Sequence, residues 1–220
     1  MTTRTKIKIC CIASEAEAAL ALEAGADLLG LVSAMPSGPG PIQESRIAEI
    51  VRWVGGRAET VLLTSRQDAR GIGAQVERLR PSVVQLVDEV APRELDALRA
   101  AYGEVVLMQV IHVTGAGSVA EAERVAPFVD RILLDSGNPA AAVKELGGTG
   151  RVHDWTVSRA ICSAVPIPVF LAGGLNAANV AEAVERVRPF GVDVCSGVRT
   201  NGALDAFKVQ AFIAAVRGAE

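Results

Sequence analysis

Residues 129–154 (VDRILLDSGNPAAAVKELGGTGRVHD) place one carboxylate, Asp135, at the end of the short apolar run Ile132-Leu133-Leu134, and follow it with Gly147-Gly148-Thr149-Gly150. The run has the look of a buried strand, so an acid sits at a strand end with a phosphate cradle beside it. Each feature alone has a plainer explanation, because an Asp at a strand end commonly accepts backbone N–H bonds and a glycine-rich loop is usually only a loop. Their conjunction in a chain of alternating strands and helices points to catalysis on a phosphorylated ligand. A second candidate group lies near the N-terminus. Residues 6–12 (KIKICCI) alternate, which sets Lys8 and Cys10 on one face and Ile7, Ile9 and Cys11 on the other. An ammonium on the face of a thiol favours the thiolate.

These groups need a scaffold, and the chain supplies one by repeating a single unit. Strands are predicted over 6–12, 27–33, 58–64, 82–86, within 104–113, at the Ile132–Leu134 run, and over 167–172 and 191–195. Helices are predicted over 14–24, 44–54, 68–79, from Pro92 onward, and over 118–126, 155–164, 176–187 and 204–217. Ser14 with Glu17 three residues later forms a capping box, Gly25 suits the end of that helix, and Asp154 caps the sixth. Eight strands, each followed by a helix at a spacing of about 25 residues, fit an α/β protein built as one (β/α)8 TIM-barrel domain over 1–220 better than an open doubly wound sheet. Active sites of such barrels lie at the C-terminal strand ends, and their phosphate sites are commonly formed after strands seven and eight. There the chain has Gly173-Gly174 and Ser196-Gly197, small enough for backbone N–H groups to approach an anion.

Bulk properties exclude several classes. The net charge of −3 comes from scattered residues, with no basic patch for nucleic acid or an anionic membrane. No apolar run approaches the roughly 18 residues of a membrane span, and the charged N-terminal segment is no secretory signal. The four cysteines (Cys10, Cys11, Cys162, Cys195) lack zinc-ligand spacing, so neither a metal nor another cofactor is expected and a reduced cytoplasmic setting is. The 4% aromatic content predicts a core of Ala, Val, Leu and Ile.

Six stretches, in order along the chain, resemble the phosphoribosylanthranilate isomerase family of tryptophan biosynthesis. They are Lys8-Ile9-Cys10, Val84-Gln85-Leu86, Leu133-Leu134-Asp135, Gly147–Gly150 with Asp154-Trp155, Leu171–Asn176, and Gly191-Val192-Asp193 through Ser196-Gly197-Val198. The resemblance implies the same barrel and an Amadori rearrangement, in which an aminated furanose 5-phosphate opens and becomes an amino-ketose. It makes Asp135 the acid that protonates the ring oxygen and Cys10 the base that removes the C2 proton. It places the phosphate at Gly148, Thr149, Gly150, Gly173, Gly174, Ser196 and Gly197. An acid that must keep its proton belongs in a water-poor site, which predicts a partly buried Asp135.

The chain departs from the family at three places. The loop after the second strand, usually Ser-Pro-Arg with the arginine on the substrate's carboxylate, is Ser33-Ala34-Met35-Pro36-Ser37-Gly38-Pro39-Gly40-Pro41 here; the glycine usual after the strand-one cysteine is Cys11; and His-Gly after Val-Gln-Leu is Val87-Asp88. Arg66, on the loop after strand three, is the candidate replacement for the arginine, and Lys8, Gln85, His112 and Asp193 are further candidate substrate contacts. An isomerase or lyase of a different phosphorylated amino-sugar, and a non-catalytic sugar-phosphate-binding barrel, remain alternatives at this point. Monomer and homodimer are both open.

Overall fold

Residues 4–137 and 152–220 are described by a computed structural model of the chain. Among the described residues its eight barrel strands are β1 (Lys6–Ile9), β2 (Leu28–Val32), β3 (Glu59–Thr64), β4 (Val83–Leu86), β5 (Val106–His112), β6 (Arg131–Asp135), β7 (Val169–Leu171) and β8 (Gly191–Val194). Each pairs in parallel with the next, and β8 returns to β1, closing a barrel in sequence order. The helices between them are α1 (Glu15–Ala24), α2 (Glu44–Val54), α3 (Ala69–Leu79), α4 (Pro92–Ala101), α5 (Gly117–Val125), α6 (Trp155–Ala164), α7 (Val180–Val187) and α8 (Ala206–Gly218). This is the (β/α)8 barrel that the repeat predicts.

Strand alternation divides the buried residues into two sets. Leu28, Val61, Val83, Met108, Leu133 and Phe170 fill the barrel, whereas Ile7, Leu29, Leu62, Val84, Leu107 and Ile132 belong to the layer between strands and helices. Helix starts follow the polar residues that precede them. Ser14, Asp68, Asp154 and Asp205 each accept a hydrogen bond from the first turn of α1, α3, α6 and α8, and Gly25 ends α1 at φ 101°.

Four local departures have physical causes. The first strand ends at Ile9, and although Cys10 N–H still bonds Val194 O at 2.8 Å, Cys11 turns left-handed at φ 64°. Strand seven is only three residues, because Pro166 and Pro168 bring no N–H to its start. The seventh helix begins at Val180 rather than 176, since Asn179 Oδ1 takes Asn176 N–H at 2.8 Å and Asn176 Oδ1 takes Ala178 N–H at 2.8 Å, a side-chain-bonded turn that competes with helix. Ahead of α8 stands a hairpin, β9 (Arg199–Thr200) and β10 (Ala203–Leu204), turned by Asn201-Gly202 with φ 51° and 82°.

Candidate active site

The floor of the site is a buried ion pair. Lys8 on β1 is register partner of Asp193 on β8, so both side chains enter the barrel at one level, with Nζ 2.9 Å from Oδ1. Lys8 is 0% exposed. Burial alone would strip its proton, but the Asp193 carboxylate and the sulfur of Cys10 outweigh that and hold its pKa above the ordinary value. Room for this group comes from β2: a Cβ on Gly30 would lie 2.8 Å from Cys10 Sγ and 3.2 Å from Lys8 Nζ. Glycine there is a packing requirement.

Above the floor opens a cavity at the C-terminal ends of the strands. Cys10, from the end of β1, and Asp135, from the end of β6, both line it, as do Gln85 and Asp193. Asp135 is half-buried, as expected of the acid, and its Oδ1 accepts Ser136 N–H at 2.7 Å. Cys10 is buried, yet its thiol sits below its ordinary pKa, first through a hydrogen bond from Cys11 and further through Lys8, against a burial effect that opposes both. The structure thus combines a thiol disposed to ionise with a carboxyl group across one cleft. Gln85 Oε1 is buried without a partner.

The loops after β7 and β8, which lie between β6 and β1 in the barrel, carry the small residues. Gly173 and Gly174, at φ 84° and 63°, turn the chain after β7 through two left-handed conformations that side chains resist, and line the cavity with Ser196. Gly197 lies where a Cβ would be 2.1 Å from Leu175 O, so the loops after β7 and β8 meet backbone to backbone. Gly148, Thr149 and Gly150 fall outside the described residues.

Other expected groups stand elsewhere. Arg66 is exposed and does not line the cavity, and among the described residues the lining holds no Arg or Lys. His112 sits at the top of β5, but its Nε2 is 3.0 Å from Val87 O and it lines a separate cleft with Glu121 and Phe128. Two residues of the site escape the sequence reading. Cys11, expected on the opposite face from Cys10, lines the same cavity because its left-handed backbone ends the alternation, and Cys195 joins it from the end of β8. The glycine that the family usually carries after the strand-one cysteine was the available signal for that backbone. Arg199 was also missed: its guanidinium bonds the carbonyl oxygens of Cys10 and Cys11 and pairs with Glu17 at 2.9 Å, which staples the cysteine loop to α1.

Comparison with known proteins agrees with this geometry. Residues 7–215 match the family model described as N-(5'phosphoribosyl)anthranilate (PRA) isomerase. The chain is 39% identical to N-(5'-phosphoribosyl)anthranilate isomerase of Haloferax volcanii, over 98% of its own length and 94% of the relative's. It is 42% identical to the Afipia carboxidovorans protein of the same name, over 97% and 89% of the two chains. Among solved structures, phosphoribosyl anthranilate isomerase of Thermotoga maritima aligns with a TM-score of 0.84 at 26% identity, covering 97% of this chain and 99% of that one. The Pyrococcus furiosus structure gives 0.80 at 26%, covering 98% and 100%. With a family match across nearly its whole length and relatives 39% and 42% identical over almost all of both chains, the chain belongs to the N-(5'-phosphoribosyl)anthranilate isomerase family.

Proposed function

We propose that this chain converts N-(5'-phosphoribosyl)anthranilate to the 1-deoxyribulose 5-phosphate product of tryptophan biosynthesis, with Asp135 as general acid and Cys10 as general base. Asp135 gives its proton to the furanose ring oxygen, the C1–O bond breaks, and the nitrogen lone pair forms an iminium. Cys10 thiolate then takes the C2 proton, which leaves an enolamine that tautomerises to the amino-ketose. No atom is gained or lost overall. The observation that carries this reading is the shared cavity: an ionisable thiol and a half-buried carboxyl group line it together with Gly173, Gly174 and Ser196.

Gly173, Gly174, Ser196 and Gly197 are proposed to hold the phosphate, joined by Gly148, Thr149 and Gly150. Gln85 and Asp193 face the sugar, and Lys8 acts from below by favouring the thiolate. The setting is proposed to be the cytoplasm, on the four free cysteines; among the described residues no helix is long and apolar enough to cross a membrane. Expression in a strain lacking the isomerase tests the assignment. Growth without tryptophan is expected, and Cys10→Ser and Asp135→Asn should each lower turnover by about 10² to 10⁴. A lining free of Arg and Lys among the described residues favours one competitor, an isomerase of another phosphorylated amino-sugar, and soluble expression without rescue would select it.

A further inference from the structure

Three of the four cysteines converge on the cavity, and proton transfer uses only Cys10. The other two, Cys11 and Cys195, have their sulfurs 2.6 Å apart, about half an ångström beyond a disulfide bond. They reach each other from neighbouring strand ends, since β1 and β8 pair with Ile9 opposite Val194. The left-handed backbone of Cys11 brings its side chain to this side, Arg199 grips its carbonyl from behind, and Pro39 O lies 3.6 Å from its sulfur. Both thiols therefore stand almost in bonding position on residues held by the fold, and both line a cavity that small solutes enter. Cys162 is in a different place, a cleft beside Arg4 and Phe190 at the opposite end of the barrel.

We propose that Cys11 and Cys195 are a redox-active pair which a peroxide closes to a disulfide, and that closure weakens the enzyme by fixing a cross-link in the wall of the cavity that Cys10 also lines. The consequence for turnover rests on the reading of Cys10 as the base; the covalent step does not. Cys195, the more exposed of the two, attacks one peroxide oxygen. The O–O bond breaks, a sulfenic acid forms on Cys195, and the second oxygen leaves as water with the thiol proton. Cys11 sulfur then attacks the sulfenic sulfur, the S–O bond breaks, and the departing hydroxide takes the Cys11 proton as a second water. Two electrons pass from the thiols to the peroxide, and a small dithiol reverses the reaction by exchange. The neighbouring sulfurs of Cys10 and Cys195, together with burial, hold the Cys11 proton more firmly than in an ordinary thiol, so Cys11 acts second, on the sulfenic acid of Cys195.

The test treats the whole protein with hydrogen peroxide and counts free thiols after denaturation. The expected count falls from four to two, and non-reducing peptide mapping links Cys11 to Cys195. In Cys10→Ala, which needs no activity, the count should fall from three to one, so the pair is decided even where the base assignment fails. In the parent protein kcat/KM should fall on oxidation by about tenfold to a hundredfold, as displacement of groups lining the cavity does. A dithiol should reverse it, and the ratio of oxidised to reduced activity should return to one in Cys195→Ser and in Cys11→Ser. An unchanged thiol count, a link through Cys10, or a Cys195→Ser enzyme still as sensitive as the parent overturns the proposal.

Discussion

Replacing Asp193 by Asn removes one charge and almost no volume, and it leaves Lys8 fully buried without its carboxylate. Removing one partner of a buried ion pair costs about 3–5 kcal/mol. The penalty has a ceiling, because the amine can shed its proton; from a reference near 10.4, deprotonation at pH 7 costs about 5 kcal/mol. Against a total stability of about 5–15 kcal/mol this is a large fraction. At roughly 2–4 °C per kcal/mol for a chain of this size, the melting temperature should fall by about 6–20 °C. The pH dependence has a definite sign. In the parent, the folded pKa of Lys8 lies above the ordinary value, so its contribution is complete below about 10.4 and is lost as pH climbs through the folded value. In the variant, burial without a partner puts the folded pKa below the unfolded one, so the unfolded chain binds more protons and stability rises with pH up to about 10.4. Calorimetry over roughly pH 6 to 10 should therefore show the gap between the two proteins narrowing. The double variant Lys8→Met/Asp193→Val should recover much of the stability, since packed apolar replacements of buried pairs are often neutral or better. It should stay slow, because nothing then favours the Cys10 thiolate from below. An Asp193→Asn protein that melts with the parent at every pH, or a double variant with parental kcat/KM, refutes the reasoning.

Three further outcomes are expected. Gly197→Ala places a methyl group 2.1 Å from Leu175 O, so the loops after β7 and β8 must part; KM should rise by about tenfold to a hundredfold, and inhibition by inorganic phosphate should weaken in parallel. Burial pushes the Asp27 carboxyl up, but Ile7 N–H, Arg4 and Lys6 pull it below its ordinary value, so its stabilisation is present above about pH 3.9 and is lost as pH falls through the folded pKa. Asp27→Asn should accordingly melt lower than the parent at neutral pH and converge with it in strong acid. Gly40→Arg alone should cost about 1–3 kcal/mol through crowding against Cys11, and Cys11→Gly should relieve most of that in a double-mutant cycle; additivity within about 0.5 kcal/mol would count against the contact.

The barrel was legible because its evidence is periodic: apolar runs that recur with a helix between them leave few other ways to bury both faces of a sheet. Cys10, Asp135, Gly173 and Ser196 followed from the rule that chemistry sits at C-terminal strand ends, and the structure brings these four to one cavity. What escaped lies just past the last ladder bonds, where alternation no longer governs direction. Cys11 is two residues beyond β1 and reverses face through its positive φ. His112 is a different case, still within β5 and in register with Asp135, its ring turned to Val87 O. The hairpin before α8 had a local signature, Asn201-Gly202, but its strands are two residues each, too short to show a period. Arg199 belongs to one of them, so its bonds to the carbonyls of Cys10 and Cys11 depend on closure of the barrel between β8 and β1, a contact between opposite ends of the chain.

The two departures from the family pattern at the mouth of the barrel are physically one. A Cβ on Gly40 would stand 2.7 Å from Cys11 Cβ and 3.0 Å from its sulfur, so a side chain on the loop after β1 and one at this point of the loop after β2 exclude each other. A chain with glycine after the strand-one cysteine has room for a long residue on the second loop. This chain, with Cys11 in that room, requires glycine on the second loop, and Gly40 takes φ 82°, which also disfavours a side chain. The exchange leaves a polarisable thiol facing the cavity where a cation would otherwise enter. Among the described residues an anionic aryl group bound there meets neutral donors and sulfur rather than a guanidinium, so its affinity should depend less on salt than in a relative that binds the group through an ion pair. The side chain that glycine at position 40 makes room for, Cys11, is also the one that stands against Cys195.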